Sequence, residues 1–283
     1  MVALNCLVIT ADDFGLSYEV NEAVEIGHLT GILSAASLMV AAPAAADAVE
    51  RMKRTPGLRV GLHIALTDAR PALPPEDIPR LVDKSGRLRS DLARMGVELA
   101  LSRAMRRQMR AEIEAQFEAY RATGLALDHV SVHQHYHLHP VVGAMVIDAG
   151  RRRGMRGIRV PRELRGLLPG DCARWRVEDA LSRRLSAKVA RGGFVAPDGV
   201  FGLRWSGRFL NARMRYLLEN LPHGFWEIYT HPGTSDAFAG HAPGYCYADE
   251  LSALTDPANA EALRISGRRL CGYQDVLGFA KAA

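Results

Sequence analysis

Acidic and imidazole side chains follow three short apolar runs of this sequence, at points where buried strands are expected to end. Asp12 and Asp13 follow the first run, while His63 and His231 lie at the ends of two others. Functional side chains collect at the carboxyl ends of the strands in a parallel α/β barrel. Taken singly, each position has an ordinary interpretation, because aspartates also cap helices and a lone histidine is often a core or loop residue.

The densest chemical signal is a histidine run. Five of the ten histidines fall between residues 129 and 139, all at odd positions: His129, His133, His135, His137 and His139. An extended strand would aim them at one face and Val130 and Val132 at the other, until Pro140 breaks the geometry. Imidazole is a common nitrogen ligand of zinc and similar metals. The run therefore predicts a metal site, with an exposed metal-binding tract as the alternative.

Together these segments offer an aspartate and two histidines as candidate ligands, with one aspartate and one histidine left over. A set of two histidines and a carboxylate leaves metal positions open for water and substrate, which is typical of catalytic sites. In an extended backbone Asp12 and Asp13 would point opposite ways, so that one could bind the metal and the other face the reacting water. Amide hydrolysis needs such leftover groups, one to accept a proton from water and one to protonate the departing amine.

The elements that must position these residues are predicted as alternating strands and helices. Apolar runs predict strands over 4–10, 34–40, 58–63, 125–133, 158–160 and 225–229, with weaker ones near Phe194 and Leu270. Helices are predicted over 18–29, 102–123 and 140–153, and Gly31 is expected to end the first. The alternation favours one barrel-like α/β domain over residues 1–283, with about seven to eight βα units, and a doubly wound open sheet is the alternative.

The composition is that of a globular protein. The chain has 283 residues, of which 48% are hydrophobic and 24% charged, so it can bury a sizeable core. No stretch approaches the length of a membrane span, and the N-terminal apolar run is too short for a signal peptide. The four scattered cysteines favour reduced thiols in the cytoplasm.

The net charge of +5 is concentrated in one stretch. Residues 151–191 hold thirteen basic and four acidic residues, a local +9 that leaves −4 for the rest of the chain. Within it apolar residues recur every fourth position, at Val177, Leu181, Leu185 and Val189. This pattern fits a barrel helix with a solvated cationic face, or a surface over 175–191 that docks on anionic membrane lipids. No nucleic-acid partner is expected, because no recognisable reading motif accompanies the charge.

Four motifs, in this order, resemble the YdjC-like carbohydrate deacetylases: ADDFGLS at 11–17, GLHIALT at 61–67, HQHYHLHP at 133–140 and YTHPG at 229–233. The resemblance implies a distorted TIM-like (β/α) barrel that removes acetyl groups from N-acetylated sugars. It implies one divalent metal ion held by Asp13, His63 and His133. It also implies Asp12 as general base and His231 as general acid.

The same resemblance suggests substrate contacts. His135 and Tyr136 of the histidine run are candidates, whereas His139 receives no role. Two more segments, GIRVPRE at 157–163 and FGLRWSG at 201–207, are similar to the hopanoid-biosynthesis-associated members. They add Arg159 and Trp205 as candidate contacts, since tryptophan stacks well on a sugar face or an apolar ring. The implied substrate is an N-acetylglucosaminyl hopanoid, a glycolipid.

Several alternatives stay open. The substrate could instead be a soluble chitooligosaccharide, or the chain could be a non-catalytic module that binds metal or sugar. A metal phosphoesterase is less favoured, because no second carboxylate-rich cluster is present for a bridging metal. Imidazole ligands favour zinc as the metal, and magnesium is the family alternative.

Overall fold

The strands of this protein form a seven-stranded parallel sheet in a computed structural model that describes residues 5–164, 166–167 and 173–282. The strands are β1 (Cys6–Phe14), β2 (Ala35–Leu38), β3 (Arg59–Ile64), β4 (Val130–Val132), β5 (Gly199–Phe201), β6 (Phe225–Thr230) and β7 (Arg269–Leu270). The helices are α1 (Tyr18–Thr30), α2 (Ala45–Arg54), α3 (Leu92–Leu101), α4 (Arg103–Ala122), α5 (Pro140–Arg152), α6 (Ala173–Arg191), α7 (Asn211–Asn220), α8 (Tyr247–Thr255), α9 (Pro257–Ile265) and α10 (Tyr273–Ala282).

The strand order is that of a barrel. It runs β4-β3-β2-β1-β6-β5, so chain neighbours lie side by side and β6 returns to β1, while β7 pairs with the first residues of β1. Between β4 and β5, single parallel bridges join Val130 to Ile158 and Gly157 to Val195. The sheet is thereby curled into a half-barrel surrounded by helices. This confirms the barrel-like α/β fold, and the doubly wound alternative is wrong because the order has no central switch point.

Helix boundaries follow local sequence signals. Ser17 caps α1 by accepting a hydrogen bond from the Val20 backbone N–H, and Gly31 follows its last turn as predicted. Ser102 caps α4 in the same way. One apolar stripe of α4 is buried against the core: Met105, Met109, Ile113, Phe117 and Tyr120. Pro140 occupies the first turn of α5, where its missing N–H leaves no hydrogen bond unmade.

The strand predicted over 125–133 is wrong at both ends, since only Val130–Val132 pair as a strand. After Val132 the chain enters a 3₁₀ turn over His133–Leu138, in which Gln134 and His135 have positive φ values of 49° and 54°. These angles turn the backbone out of the extended conformation. The five histidines therefore do not share one face, because the alternation of an extended strand stops at His133.

The apolar residues of the basic stretch differ in burial along α6. Leu185 and Val189 are buried in the core, as expected for an ordinary barrel helix, whereas Val177 is 63% exposed. Residues 165 and 168–172 of the stretch lie outside the described residues. In the part of the chain that is described, no helix is long and apolar enough to cross a membrane.

Candidate active site

Asp12 and Asp13 lie on an irregularity of β1. The register of β1 with β2 shifts between Ala11 and Phe14, and Asp13 has a φ of 60°, in the left-handed region. The extended backbone expected at this pair is therefore absent, because the bulge re-aims the side chains. Both carboxylates approach the same imidazole, with Asp12 Oδ1 4.0 Å from His63 Nδ1 and Asp13 Oδ1 3.3 Å from His63 Nε2.

Asp13, His63 and His133 form a three-residue candidate metal site. Asp13 Oδ1 lies 3.2 Å from His133 Nδ1, and the two imidazole nitrogens are 3.4 Å apart. Such separations suit three ligands of one cation bonded at about 2.0–2.2 Å. Asp13 Oδ1 is buried and forms no hydrogen bond, so a positive ion would satisfy an otherwise unpaired oxygen. Burial opposes ionisation of His133, but the Asp13 carboxylate raises the pKa of His133 above its usual value.

Asp12 belongs to a second, charged cluster. The guanidinium of Arg159 donates to both oxygens of Asp12 and to both oxygens of Glu227. Glu227 also accepts from the Thr10 hydroxyl at 2.7 Å and from the Tyr273 hydroxyl. Burial alone would raise the pKa of Asp12, but the adjacent Arg159 holds it well below its usual range. Asp12 is therefore an ionised carboxylate at neutral pH.

His231 follows β6 and closes the site from another side. Its ring contacts those of Tyr229 and Tyr245, with centroids 5.7 and 5.1 Å away. Burial lowers the pKa of His231 despite the nearby Asp13 and Asp12, so the ring is neutral at pH 7. Its backbone N–H donates to Glu250 of α8, which fixes the position of the strand end.

His135 lies beside this aromatic wall. Its Nε2 is 3.0 Å from the Tyr229 hydroxyl, and Tyr229 in turn lies under the Arg159 guanidinium at 4.7 Å. Burial, reinforced by Arg159, lowers the pKa of His135 well below its usual value, so its ring is neutral. His135, itself a positive-φ residue of the turn after β4, is therefore connected through Tyr229 to the Asp12 cluster.

Other predicted contacts lie apart from the three candidate ligands. Arg159 is fully buried and its guanidinium is occupied by two carboxylates, so it positions Asp12 and has no surface for a substrate. The Tyr136 hydroxyl donates to the Leu92 carbonyl, and its ring packs in the core. Trp205 is half-buried against Phe209.

A cavity of about 480 Å³ opens beside the candidate ligands and reaches Asp13 and His133. Its lining is largely apolar, with side chains from the loops after β1, β2 and β3, from the segment before α8 and from the first residue of α8: Leu16, Met39, Val40, Ala42, Pro43, Ala65, Ala69, Ala239, Ala242, Pro243 and Tyr247. Arg70 and Arg87 add positive charge to it. A cavity of this size can hold a small molecule against the site.

Sequence reasoning missed Glu227, although a signal for it exists. Glu227 is a single acidic residue within the apolar strand FWEIYT, and a charge buried there requires a partner. The partner, Arg159, lies 68 residues away, so the pair is invisible until the sheet is assembled. Tyr245 was also missed, and no spacing marks it, because it approaches His231 from a loop.

Comparison with known proteins identifies the family of this chain. A profile of the family described as YdjC-like protein matches residues 6–264. A mouse protein named carbohydrate deacetylase is 31% identical over 95% of this chain and 94% of its own length. The carbohydrate deacetylase of Geobacillus stearothermophilus is 29% identical, over 95% and 96% respectively. The carbohydrate deacetylase of Brevibacillus brevis is 36% identical, but this match spans only 50% of the chain and 54% of that protein.

A solved structure shares the fold. It belongs to an Enterococcus faecalis V583 protein named for cellobiose-phosphate cleavage, and it superposes with a TM-score of 0.74 over 97% of this chain and 99% of that one. At 21% identity this likeness shows the architecture alone. The profile match, by contrast, includes Asp12, Asp13, His63, His133 and His231 and covers most of the sequence. The chain therefore belongs to the YdjC-like protein family.

Proposed function

We propose that this protein is a metal-dependent N-deacetylase that hydrolyses the acetamide group of an N-acetylated sugar. One observation carries the proposal: the three candidate ligand atoms converge to within 3.2–3.4 Å beside an aspartate that Arg159 keeps ionised. The relatives named carbohydrate deacetylases, aligned over nearly the whole chain, support the same reaction class.

Asp13, His63 and His133 would hold the metal. When bound there, a divalent cation would supply a lower pKa for a water molecule and polarisation of the acetyl carbonyl. Two imidazoles and one carboxylate favour zinc over magnesium by ligand softness, although magnesium remains the alternative to be tested.

Asp12 and His231 supply the proton transfers. Asp12 is ionised, so its carboxylate can accept a proton from the attacking water. The departing amine is a poor leaving group and needs a proton on nitrogen as the C–N bond breaks. His231 is neutral at rest, so the proton that Asp12 accepts from the water would have to reach His231 before His231 can deliver one to that nitrogen.

For the substrate we propose an N-acetylglucosaminyl hopanoid, with a soluble chitooligosaccharide as the alternative. The largely apolar lining of the 480 Å³ cavity supports the glycolipid, because an apolar ring system attached to the sugar would be removed from water there. A chitooligosaccharide would present hydroxyl groups to the same surface. His135 and Trp205 remain proposed substrate contacts, whereas the ring of Tyr136 packs in the core.

The first experiment tests the reaction. Zinc-loaded protein incubated with an N-acetylglucosaminyl substrate should release acetate, and Asp12→Asn should lower turnover at least about 100-fold with zinc still bound. Asp77→Asn, at an exposed aspartate, is the control and should leave turnover unchanged. Full activity of Asp12→Asn would instead favour a different base, and no acetate release by the wild type would favour a non-catalytic binding module.

The second experiment tests the substrate. Equal amounts of N-acetylglucosaminyl hopanoid and diacetylchitobiose are compared, with acetate and the free amine measured by mass spectrometry as loss of one C₂H₂O unit. We expect the glycolipid to be the better substrate. Turnover of diacetylchitobiose alone would exclude the glycolipid proposal while leaving the deacetylase proposal intact.

We also propose a cytoplasmic location with peripheral contact between residues 175–191 and an anionic membrane. Arg184, Lys188 and Arg191 of α6 line a groove of about 370 Å³ together with Arg151 of α5. None of these four cations takes part in an ion pair among the described residues. Phosphate groups of anionic lipids are suitable partners for such unpaired cations.

Vesicle binding tests this contact. The protein should bind vesicles rich in phosphatidylglycerol, and the double variant R184Q/K188Q should bind roughly 30-fold more weakly, at about 1 kcal/mol for each lost charge. R103Q/R107Q, on the exposed side of α4, is the matched control. Binding that is absent, or independent of salt, would contradict the proposed contact.

A further inference from the structure

A row of buried side chains leads away from His63 on the side opposite the candidate metal position. His63 Nδ1 is 2.7 Å from Ser131 Oγ, which is 3.0 Å from Ser37 Oγ. Ser37 Oγ is 3.0 Å from His129 Nε2, and His129 Nδ1 is 2.9 Å from Asp128 Oδ2. Four hydrogen bonds thus connect strands β2, β3 and β4 with the chain before β4. We call these five residues the relay.

Asp128 lies at one end of the relay and fixes which atom of His129 donates a hydrogen bond. Its two oxygens also accept the backbone N–H groups of Tyr273 and Gln274 at the start of α10. Burial alone would raise the pKa of Asp128, but the hydrogen bonds from His129 and these backbone groups hold it below its usual value. An ionised carboxylate can only accept hydrogen bonds, so His129 donates to it through Nδ1.

The donor and acceptor of each further hydrogen bond in the relay follow from this one. A neutral His129 that donates through Nδ1 accepts through Nε2, and the Ser37 hydroxyl supplies that hydrogen. Ser37 can then accept from the Ser131 hydroxyl, and Ser131 accepts from His63 Nδ1. His63 therefore carries its hydrogen on Nδ1 and a free lone pair on Nε2, the atom that faces Asp13 and His133.

We infer that Asp128, His129 and Ser37 are positioning residues for the candidate metal site. Although none of them contacts its three ligands, they hold His63 in the tautomer whose Nε2 can bind a cation. The inference rests on the proposed metal site and not on any substrate. Groups that hydrogen-bond to the far nitrogen of a metal-binding histidine are known to fix its tautomer and orientation.

The packing shields the relay from solvent. All five side chains are at most 3% exposed. Gly61 of β3 permits the arrangement, because a Cβ there would lie 2.5 Å from the His129 carbonyl and 2.6 Å from its ring. The His129 ring also stacks on Tyr273, with centroids 4.8 Å apart and planes 20° apart. Close packing against Gly61 and Tyr273 holds His129 in one orientation, as a directional relay requires.

Nitrogen-15 NMR of the histidines in the metal-free protein tests the inference directly, and zinc titration gives a second readout. In the wild type, His63 should be protonated on Nδ1 only, as should His129. Ser37→Ala interrupts the row without touching His63. We expect it to give a mixture of His63 tautomers and to weaken zinc binding about 10-fold, the lower end of the effect of such outer partners.

Three further variants complete the experiment. Ser34→Ala is the matched control, because Ser34 is buried three residues earlier and hydrogen-bonds to the Cys271 carbonyl instead of the relay. Ser37→Thr retains a hydroxyl and should restore the wild-type tautomer. Asp128→Asn, at the other end of the relay, should have the same effects as Ser37→Ala. If the Asp128 variant does not fold, the result for Ser37→Ala decides the test.

Two results would overturn the inference. One is a His63 tautomer and a zinc affinity that Ser37→Ala leaves at their wild-type values. The other is a His129 protonated at both nitrogens in the wild type, since the hydrogen on Nε2 would reverse the direction of the row. Failure of the zinc-loaded protein to release acetate would contradict the proposed deacetylase activity alone, because the tautomer is read without metal or substrate.

Discussion

Asp12 and Asp13 are adjacent in sequence and both are buried, yet their carboxylates face different partners. Asp12 faces a permanent cation, the guanidinium of Arg159, which also neutralises Glu227. Asp13 faces two imidazoles, and its Oδ1 has no hydrogen bond. The bulge in β1 separates these two environments within one residue.

This difference indicates that the two carboxylates have different chemical roles. A carboxylate paired with arginine stays ionised over a wide pH range and is not available to an exchangeable ion. A carboxylate between imidazoles can accept a cation that enters from solvent, because imidazole changes its proton occupancy at moderate pH. The permanent cation thus suits a base, and the imidazole pair suits a metal ligand.

The largest expected effect is the loss of the permanent cation. Arg159→Met should lower the free energy of unfolding by about 3–5 kcal/mol, because it leaves Asp12 and Glu227 as uncompensated buried charges. Denaturant unfolding measures the change. Arg110→Met, which removes an ion pair with Asp148 that is about half exposed, should cost less than about 1 kcal/mol. Equal losses in the two variants would show that burial does not set the energy of the Arg159 cluster.

Glu250 extends the comparison to a carboxylate that faces neither a paired cation nor an imidazole. Burial raises its pKa to about 7, although backbone N–H groups of His231 and Phe209 oppose the shift. The folded state therefore binds a proton that the unfolded state has released, and stability should fall as pH rises from about 4.5 to 7. Between pH 5 and 8 the wild type should lose about 3 kcal/mol relative to Glu250→Gln. A difference in unfolding free energy that does not vary with pH would contradict this.

Zinc binding tests the role of Asp13 as a metal ligand in contrast to Asp12. A ligand that binds only the folded state adds about 2.7 kcal/mol to unfolding free energy at 100 times its Kd. We expect this gain for the wild type and its loss for Asp13→Ala, measured by unfolding with and without zinc. Asp12→Asn should retain the gain, because Asp12 is not one of the three candidate ligands. Loss of the gain in Asp12→Asn would mean that the two aspartates share the ion.

The smallest expected effect comes from Ser37, a neutral member of the relay. Ser37→Ala removes two buried hydrogen bonds but leaves no charge unpaired, so we expect a loss of about 1–2 kcal/mol in unfolding free energy. Urea unfolding of this variant beside Arg159→Met measures the contrast. A loss as large as that of Arg159→Met would contradict the small contribution expected of hydrogen bonds between uncharged groups.

Much of the fold could be predicted from local sequence patterns. The helices over Tyr18–Thr30, Arg103–Ala122 and Pro140–Arg152 lie within two residues of their predicted limits, because capping serines, Pro140 and apolar periodicity are local signals. The structure of the histidine run could not be predicted in this way. Its strand ends at Val132 because Gln134 and His135 adopt positive φ, and nothing in the composition of the run predicts that turn.

The sequence by itself determined which side chains stand at the ends of the strands, since apolar runs fix where strands form and polar residues mark where they stop. It placed Asp12, Asp13, His63 and His231 there. Only the tertiary structure decided how each one is paired. The partners of Asp12 and of the relay lie as far as 147 residues apart along the chain, and the pairing depends on sheet register and on one bulge. Local periodicity carries no information about either.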